Sequence, residues 1–215
     1  MHRVRHLLEG NDLFRKTYFK ENEKRLIELA QHGQNPRILF IGCADSRVIP
    51  SLITNSDPGN LFVLRNVGNF VAPYKPDEEY HAMAAGIEYA NNLLRVDDII
   101  ICGHTHCGAI AALHGGGLDG APFTHARKWL SLGGEAKRMA LAALGANGEP
   151  SDLLRLTEQI SVATQINHLM TYPYVREKVA DGRLHVHGWI YDIETGRITC
   201  YDPAESAFRA YGEPT

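Results

Sequence analysis

Two short clusters of metal-binding side chains stand far apart in this chain, at residues 43–47 (Cys-Ala-Asp-Ser-Arg) and 104–107 (His-Thr-His-Cys). Together they offer two thiolates, a carboxylate and an imidazole, a mixture of donors that a borderline-soft tetrahedral cation accepts. The candidate ligands are Cys43, Asp45, His104 and Cys107. Their types and spacing predict a zinc site.

Each cluster directly follows an apolar, β-branched run that is typical of a buried strand. Residues 38–42 lead into Cys43, and residues 99–103 lead into His104. Open α/β sheets place their ligands at the carboxyl ends of strands, so we expect both clusters at one edge of a sheet. The metal would then join two strands that are distant in sequence.

The two clusters resemble the signature of the β-class carbonic anhydrases. The resemblance rests on Cys43-x-Asp45-x-Arg47, on His104-x-x-Cys107-Gly108, and on residues 62–69 (Phe-Val-Leu-Arg-Asn-Val-Gly-Asn) between them. It extends from about the first predicted helix to Cys200, which is most of the chain. It implies a zinc lyase that interconverts carbon dioxide and water with bicarbonate and a proton.

Composition agrees with one compact domain. With 215 residues and 44% hydrophobic content, the chain can bury a single sizeable core. A net charge of -3, from 22 basic and 25 acidic residues, offers no basic face, so we expect neither a nucleic-acid nor a membrane partner.

The amino-terminal residues lack the apolar run of a secretory signal, and no run is long enough to span a bilayer. Four cysteines are too few for a disulfide framework and suit a reducing milieu. We therefore expect the protein in the cytoplasm or an internal compartment.

The predicted fold is a single α/β domain with a central, mostly parallel β-sheet flanked by helices. Strand-like runs at residues 37–41, 61–64 and 98–102 alternate with helical patterns, and helices are expected over 124–144 and 151–170. A helical arm occupies residues 1–34, with Asn11 as a candidate cap, and the zinc-binding core occupies 35–215. Residues 184–193 and 197–201 alternate like a C-terminal strand hairpin.

The predicted chemistry follows from charge. Zinc held by two thiolates and one imidazole is formally neutral and keeps a fourth position for a water, which it acidifies into a hydroxide nucleophile. Asp45 could close that position as a ligand, or it could pair with Arg47 and accept a hydrogen bond from the hydroxide. Arg47 is the natural partner because its planar fork matches a carboxylate. We expect Asp45 and Arg47 to be catalytic, with Asp45 on the metal only in a closed state.

Carbon dioxide is apolar and needs a small dry pocket. The resemblance assigns this pocket to Phe62, Val67 and Tyr89, partly from a neighbouring subunit, and so implies a homodimer or an assembly of dimers. On composition alone, these three residues would be ordinary core. Gly108, just past Cys107 at a helix start, could offer its backbone N–H to an anionic intermediate.

Some members of the family close their site when bicarbonate binds a noncatalytic pocket built from a tryptophan, an arginine and a tyrosine. Arg65 and Tyr191 match the last two, but Phe40 stands where the tryptophan is expected. Phenylalanine lacks the indole N–H, so we expect weak anion binding there and an open resting site at neutral to alkaline pH. A surface or interface salt bridge is an equally good interpretation of Arg65.

Other readings of the zinc cluster stay open. Four protein ligands would make a closed, purely structural zinc site without turnover. The same scaffold could also hydrolyse carbon disulfide or carbonyl sulfide. His106 is expected to point away from the ligands, and His114 is a candidate proton relay.

Overall fold

Six strands form one sheet in the computed structural model, which describes residues 4–77, 81–115, 123–145 and 148–211. The strands are β1 Ile38–Cys43, β2 Leu61–Asn66, β3 Asp98–His104, β4 His185–Tyr191, β5 Ile198–Asp202 and β6 Ala207–Ala210. Their order is β2-β1-β3-β4-β5-β6. Strands β1 to β4 are parallel to one another, whereas β5 is antiparallel to both of its neighbours, β4 and β6. The predicted single domain with a mostly parallel sheet is confirmed.

Helices connect and cover these strands. They are α1 Arg5–Phe14, α2 Glu23–His32, α3 Pro50–Ile53, α4 Ala82–Glu88, α5 Gly108–Leu113, α6 Thr124–Leu130, α7 Gly134–Leu144, α8 Pro150–Leu169 and α9 Pro173–Ala180. Two of them continue as π-helical turns, α1 over Arg15–Phe19 and α4 over Tyr89–Leu94. None of these described helices combines the length and apolar character needed to cross a membrane.

The central strands β1 and β3 are buried because side chains pack on both faces of the sheet, and neighbouring strands flank them on either side. Alternate side chains of β1 and β3, including Leu39 and Ile99, pack with Val162 of α8 and Val175 of α9. Phe40 and the other residues of opposite alternation face a smaller cluster. Burial on both faces explains why these strands read as continuous apolar runs rather than as alternating patterns.

The strand register sets the position of the functional residues. Cys43 ends β1 opposite Asn66 of β2, and His104 ends β3 next to Tyr191 of β4. Gly42 pairs with Cys102, so the carboxyl ends of β1 and β3 lie side by side. The fold therefore brings both clusters to one edge, as the strand pattern predicted.

Several local predictions were wrong. The first helix begins at Arg5, so Asn11 lies inside α1 rather than capping it, because the apolar stripe already starts at Leu7. A short 3-10 turn at Ser131–Gly133 divides the single helix expected over residues 124–144. By contrast, the predicted C-terminal hairpin is confirmed as the antiparallel pair of β4 and β5, to which β6 adds a third strand that was not predicted.

Gly188 of β4 lies where α8 packs closely on the sheet. A Cβ there would come within 3.0 Å of side-chain atoms of Val162, Ile166 and Tyr201. We expect Gly188→Ala to lower the free energy of unfolding by about 1–3 kcal/mol through overpacking. Urea unfolding at fixed protein concentration measures this loss.

The matched control is Gly10→Ala in α1, where an added Cβ would meet nothing within 4 Å. This change should stabilise the protein by about 0.5–1 kcal/mol, because alanine loses less backbone entropy in a helix. A Gly188→Ala protein as stable as wild type would contradict the close helix-on-sheet packing.

Candidate metal centre

Three of the four predicted ligands converge at the carboxyl edge of the sheet. The donor atoms of Cys43, His104 and Cys107 all lie within 4.8 Å of one another. All three residues are buried, with at most 5% of each exposed. Cys43 and His104 come from strand ends, and Cys107 is the residue from which α5 starts.

The imidazole of His104 is oriented for a metal. Its Nδ1 lies 2.9 Å from the carbonyl oxygen of Thr105, which places the ring proton on that nitrogen. The other nitrogen, Nε2, is buried and has no hydrogen-bond partner among the residues that the structure describes. A buried lone pair without a donor is costly, and a cation in the cluster would satisfy it.

The sulfurs of Cys43 and Cys107 lie within 4.8 Å of each other. Hydrogen bonding from Cys107 lowers the pKa of Cys43 to about 4, against the opposing effect of burial, and the same contact raises the pKa of Cys107. A divalent cation would allow both sulfurs to ionise. The donor set and the orphaned Nε2 together fit zinc.

Asp45, the fourth predicted ligand, is turned onto Arg47. Its Oδ1 accepts from Arg47 Nε at 2.9 Å, and its Oδ2 accepts from Nη2 at 2.8 Å. The Arg47 guanidinium holds the pKa of Asp45 well below its usual range. Oδ2 nevertheless lies 3.9 Å from His104 Nε2, so the carboxylate borders the metal position.

Arg47 is itself anchored from the second cluster. Its Nη2 also donates to the carbonyl oxygen of His106, at 3.0 Å. His106 has a φ of 58°, which turns its side chain away from the ligands and towards Glu194, 3.3 Å away. The side chain points away as the sequence predicted, and the backbone has a role that the sequence did not reveal.

Arg65 ties down the loop that carries Cys43 and Asp45. Its guanidinium donates to the carbonyl oxygens of Cys43 at 3.0 Å, Asp45 at 2.7 Å and Val48 at 2.7 Å. Neither a surface salt bridge nor an anion is needed to explain these contacts. Phe40 and Tyr191 share a cluster on one face of the sheet, and the Phe40 ring packs edge-on against Trp189.

Glu158 of α8 is a site residue that the sequence analysis missed. Its Oε1 accepts from the backbone N–H of Cys107 at 2.9 Å, and Oε2 pairs with Arg155 at 3.0 Å. Burial raises its pKa to about 6. A carboxylate on the inward stripe of an amphipathic helix, in line with Leu154 and Val162, was the available signal.

The predicted pocket residues do not all lie together within one chain. Phe62 and Tyr89 stack with ring centroids 5.7 Å apart. Phe62 precedes Asn66, the partner of Cys43, by four residues, or roughly 13 Å of strand. Val67, by contrast, immediately follows β2 and lines a cavity of about 1100 Å³.

The remaining candidates have local partners. Gly108 begins α5, and a Cβ placed there would meet no atom of the described residues within 4 Å. His114 Nε2 lies 2.9 Å from the hydroxyl of Thr157, the residue before Glu158. A proton relay through His114 stays a prediction.

Comparisons with known proteins agree on one family. The family model described as carbonic anhydrase matches residues 38–198. A carbonic anhydrase of Synechocystis is 39% identical over 199 residues, which cover 93% of this chain and 71% of the relative.

Solved structures show the same likeness. The β-carbonic anhydrase CcaA has a TM-score of 0.90 at 37% identity, covering 99% of this chain and 94% of that one. One of two tetrameric β-carbonic anhydrases from Sordaria macrospora has a TM-score of 0.83 at 31% identity, covering 98% and 100%.

The ligand set makes a direct prediction about metal content. Purified protein should carry about one zinc per chain, and Cys43→Ser or His104→Ala should lose the metal because three donors share its coordination. Elemental analysis measures this, with Cys200→Ser on β5 as the control that keeps its zinc. Full zinc occupancy in the two ligand variants would remove the proposed set.

Proposed function

The chain belongs to the β-class carbonic anhydrases, and on that premise we propose how its residues divide the interconversion of carbon dioxide and bicarbonate. The observation that carries the proposal is the convergence of two thiols with an orphaned imidazole nitrogen, beside a carboxylate held away by an arginine. Such an arrangement leaves one side of the metal position for chemistry.

Cys43, His104 and Cys107 would hold zinc. When bound, zinc supplies a Lewis acid that makes water a usable nucleophile near neutral pH. Two thiolates donate more charge than imidazoles, so activity should favour alkaline conditions. Glu158 would orient Cys107 through its backbone N–H.

Asp45 would act as a permanent hydrogen-bond acceptor. Arg47 binds both of its oxygens and keeps it ionised, so Asp45 cannot donate a proton at neutral pH. Oδ2 borders the metal position and can accept a hydrogen bond from the attacking water, which would orient the water's lone pair. In a closed state, the same carboxylate would leave Arg47 and become the fourth ligand.

The substrate would sit between this acceptor and apolar side chains. We assign Val67 to the pocket of its own chain, because it lines the cavity that also borders Ala44. Phe62 and Tyr89 would serve a pocket only from a neighbouring subunit, given their distance from Cys43 along β2. Gly108 N–H would offer a donor to a bicarbonate oxygen.

We propose that the chain works as a homodimer or an assembly of dimers. Helix α1 buries none of its residues, and Leu7, Leu8 and Leu13 are more than half exposed. An apolar stripe of this kind on a single chain marks a protein interface. The tetrameric Sordaria enzymes support the same assembly, and four free thiols suit the cytoplasm or an internal compartment.

Asp45→Asn tests the role of the carboxylate. The variant should keep its zinc through the other three ligands and lose carbon dioxide hydration by roughly a hundredfold or more, the usual effect of removing a positioned proton-handling group. Stopped-flow assay of the zinc-replete protein measures this, with carbon disulfide as a second substrate. Asp181→Asn, an exposed aspartate paired with Arg183, is the control. Wild-type activity in Asp45→Asn would reject the mechanism.

The site should rest open at mildly alkaline pH. Phe40 offers no donor to an anion, and the Arg65 Nε and Nη2 groups already serve backbone carbonyls. A lost hydrogen bond to a charged group is worth about 1.5–3 kcal/mol, or roughly tenfold or more in affinity. We expect a crystal of the zinc enzyme at that pH to show Asp45 on Arg47. Asp45 bound to zinc, or steep cooperative inhibition by bicarbonate, would overturn this expectation.

A further inference from the structure

Trp129 of α6 is connected to the ligand Cys43 through a single peptide group. Its indole Nε1 donates to the carbonyl oxygen of Val67 at 2.8 Å. The N–H on the other side of that peptide, which belongs to Gly68, donates to Cys43 Sγ at 3.4 Å. Indole, peptide and sulfur therefore form one series of hydrogen bonds.

Residues 66–70 form a turn around this peptide, and the two ends of the turn are held together independently of Trp129. The side chain of Asn66 accepts from the N–H of Phe70 at 2.8 Å and donates to its carbonyl oxygen at 2.9 Å. These two bonds close residues 66–70 into a loop. They do not contact the peptide between Val67 and Gly68, which lies inside it.

The central peptide includes a glycine, whose backbone is less restricted than that of other residues. Gly68 has a φ of 84°, and a Cβ there would lie 2.9 Å from the Phe70 ring and 3.1 Å from Ala109 Cβ. Glycine is therefore needed for space, yet it also makes a peptide flip easy. Val67 is about half exposed, so water could compete for its carbonyl oxygen. A fixed donor is required to keep the N–H aimed at sulfur.

The indole is such a donor because packing holds it. Trp129 precedes the buried Leu130 and packs on the apolar cluster that contains both Cys43 and Cys107. It lies 62 residues along the chain from Val67, so only the tertiary fold makes the contact.

We propose that Trp129 is a positioning residue for Cys43, holding the Val67–Gly68 peptide so that its N–H donates to the metal-bound sulfur. The proposal rests on the zinc site described above. An N–H donor withdraws charge from a ligating sulfur, and partners of this kind commonly change metal affinity by about 10–100-fold. The bond thus tunes how strongly Cys43 donates to the metal.

The test compares Trp129→Phe with wild type after loading with cobalt(II). Phenylalanine keeps the aromatic bulk and removes the N–H donor. We expect the thiolate-to-cobalt charge-transfer band to move to lower energy, because the sulfur becomes more electron-rich. Competition with a chelator should show zinc affinity weakened by roughly tenfold. The control is Trp189→Phe, the chain's other tryptophan, on the sheet face that carries Phe40.

An unshifted band in Trp129→Phe, or an equal shift in Trp189→Phe, would overturn the proposal even if affinity fell. Should Trp129→Phe not fold, benzothienylalanine at position 129 replaces the indole N–H by sulfur at nearly the same shape, and the same outcomes apply. A wild-type protein that binds neither cobalt nor zinc would instead reject the zinc site itself.

Discussion

Two sulfurs and an imidazole nitrogen crowd into one buried volume, and the rest of the structure is arranged around that crowding. The two sulfurs and His104 Nε2 lie within 4.8 Å of one another, and Nε2 has no hydrogen-bond partner in the described part of the chain. Removing these groups from water costs free energy that only coordination would return. Metal binding would therefore be coupled to the folding of this edge.

Backbone hydrogen bonds fix the donors from several directions. Arg65 gathers the loop after β1, Glu158 holds the N–H of Cys107, and the Gly68 N–H approaches Cys43. Each holds the main chain beside a ligand or bonds the ligand itself. The surrounding core is closely packed and shifts little, so these hydrogen bonds hold the side chains of Cys43 and Cys107 within a narrow range of positions.

The ion pair between Asp45 and Arg47 keeps the carboxylate away from the proposed metal position. Asp45 carries the right donor atoms to close it, yet Arg47 binds both carboxylate oxygens. Arg47 also donates to the carbonyl oxygen of His106, so a hydrogen bond connects the two sequence clusters. The bidentate ion pair thus holds both oxygens of Asp45 on Arg47, although the ligand types alone would allow the carboxylate to bind a metal.

Residue types and short-range spacing were enough to predict the cluster of Cys43, His104 and Cys107, the parallel strands and the Asp45–Arg47 pair, because each depends on neighbours in sequence or on strand periodicity. Distant contacts were not predictable in this way. Glu158 accepts from the N–H of Cys107, and Trp129 donates to the carbonyl oxygen of Val67, in both cases across more than 50 residues of sequence. Phe62 lies four residues before the end of β2 that is next to Cys43. Periodicity tells which face of an element is buried, whereas strand register and helix packing decide which side chain meets which backbone group.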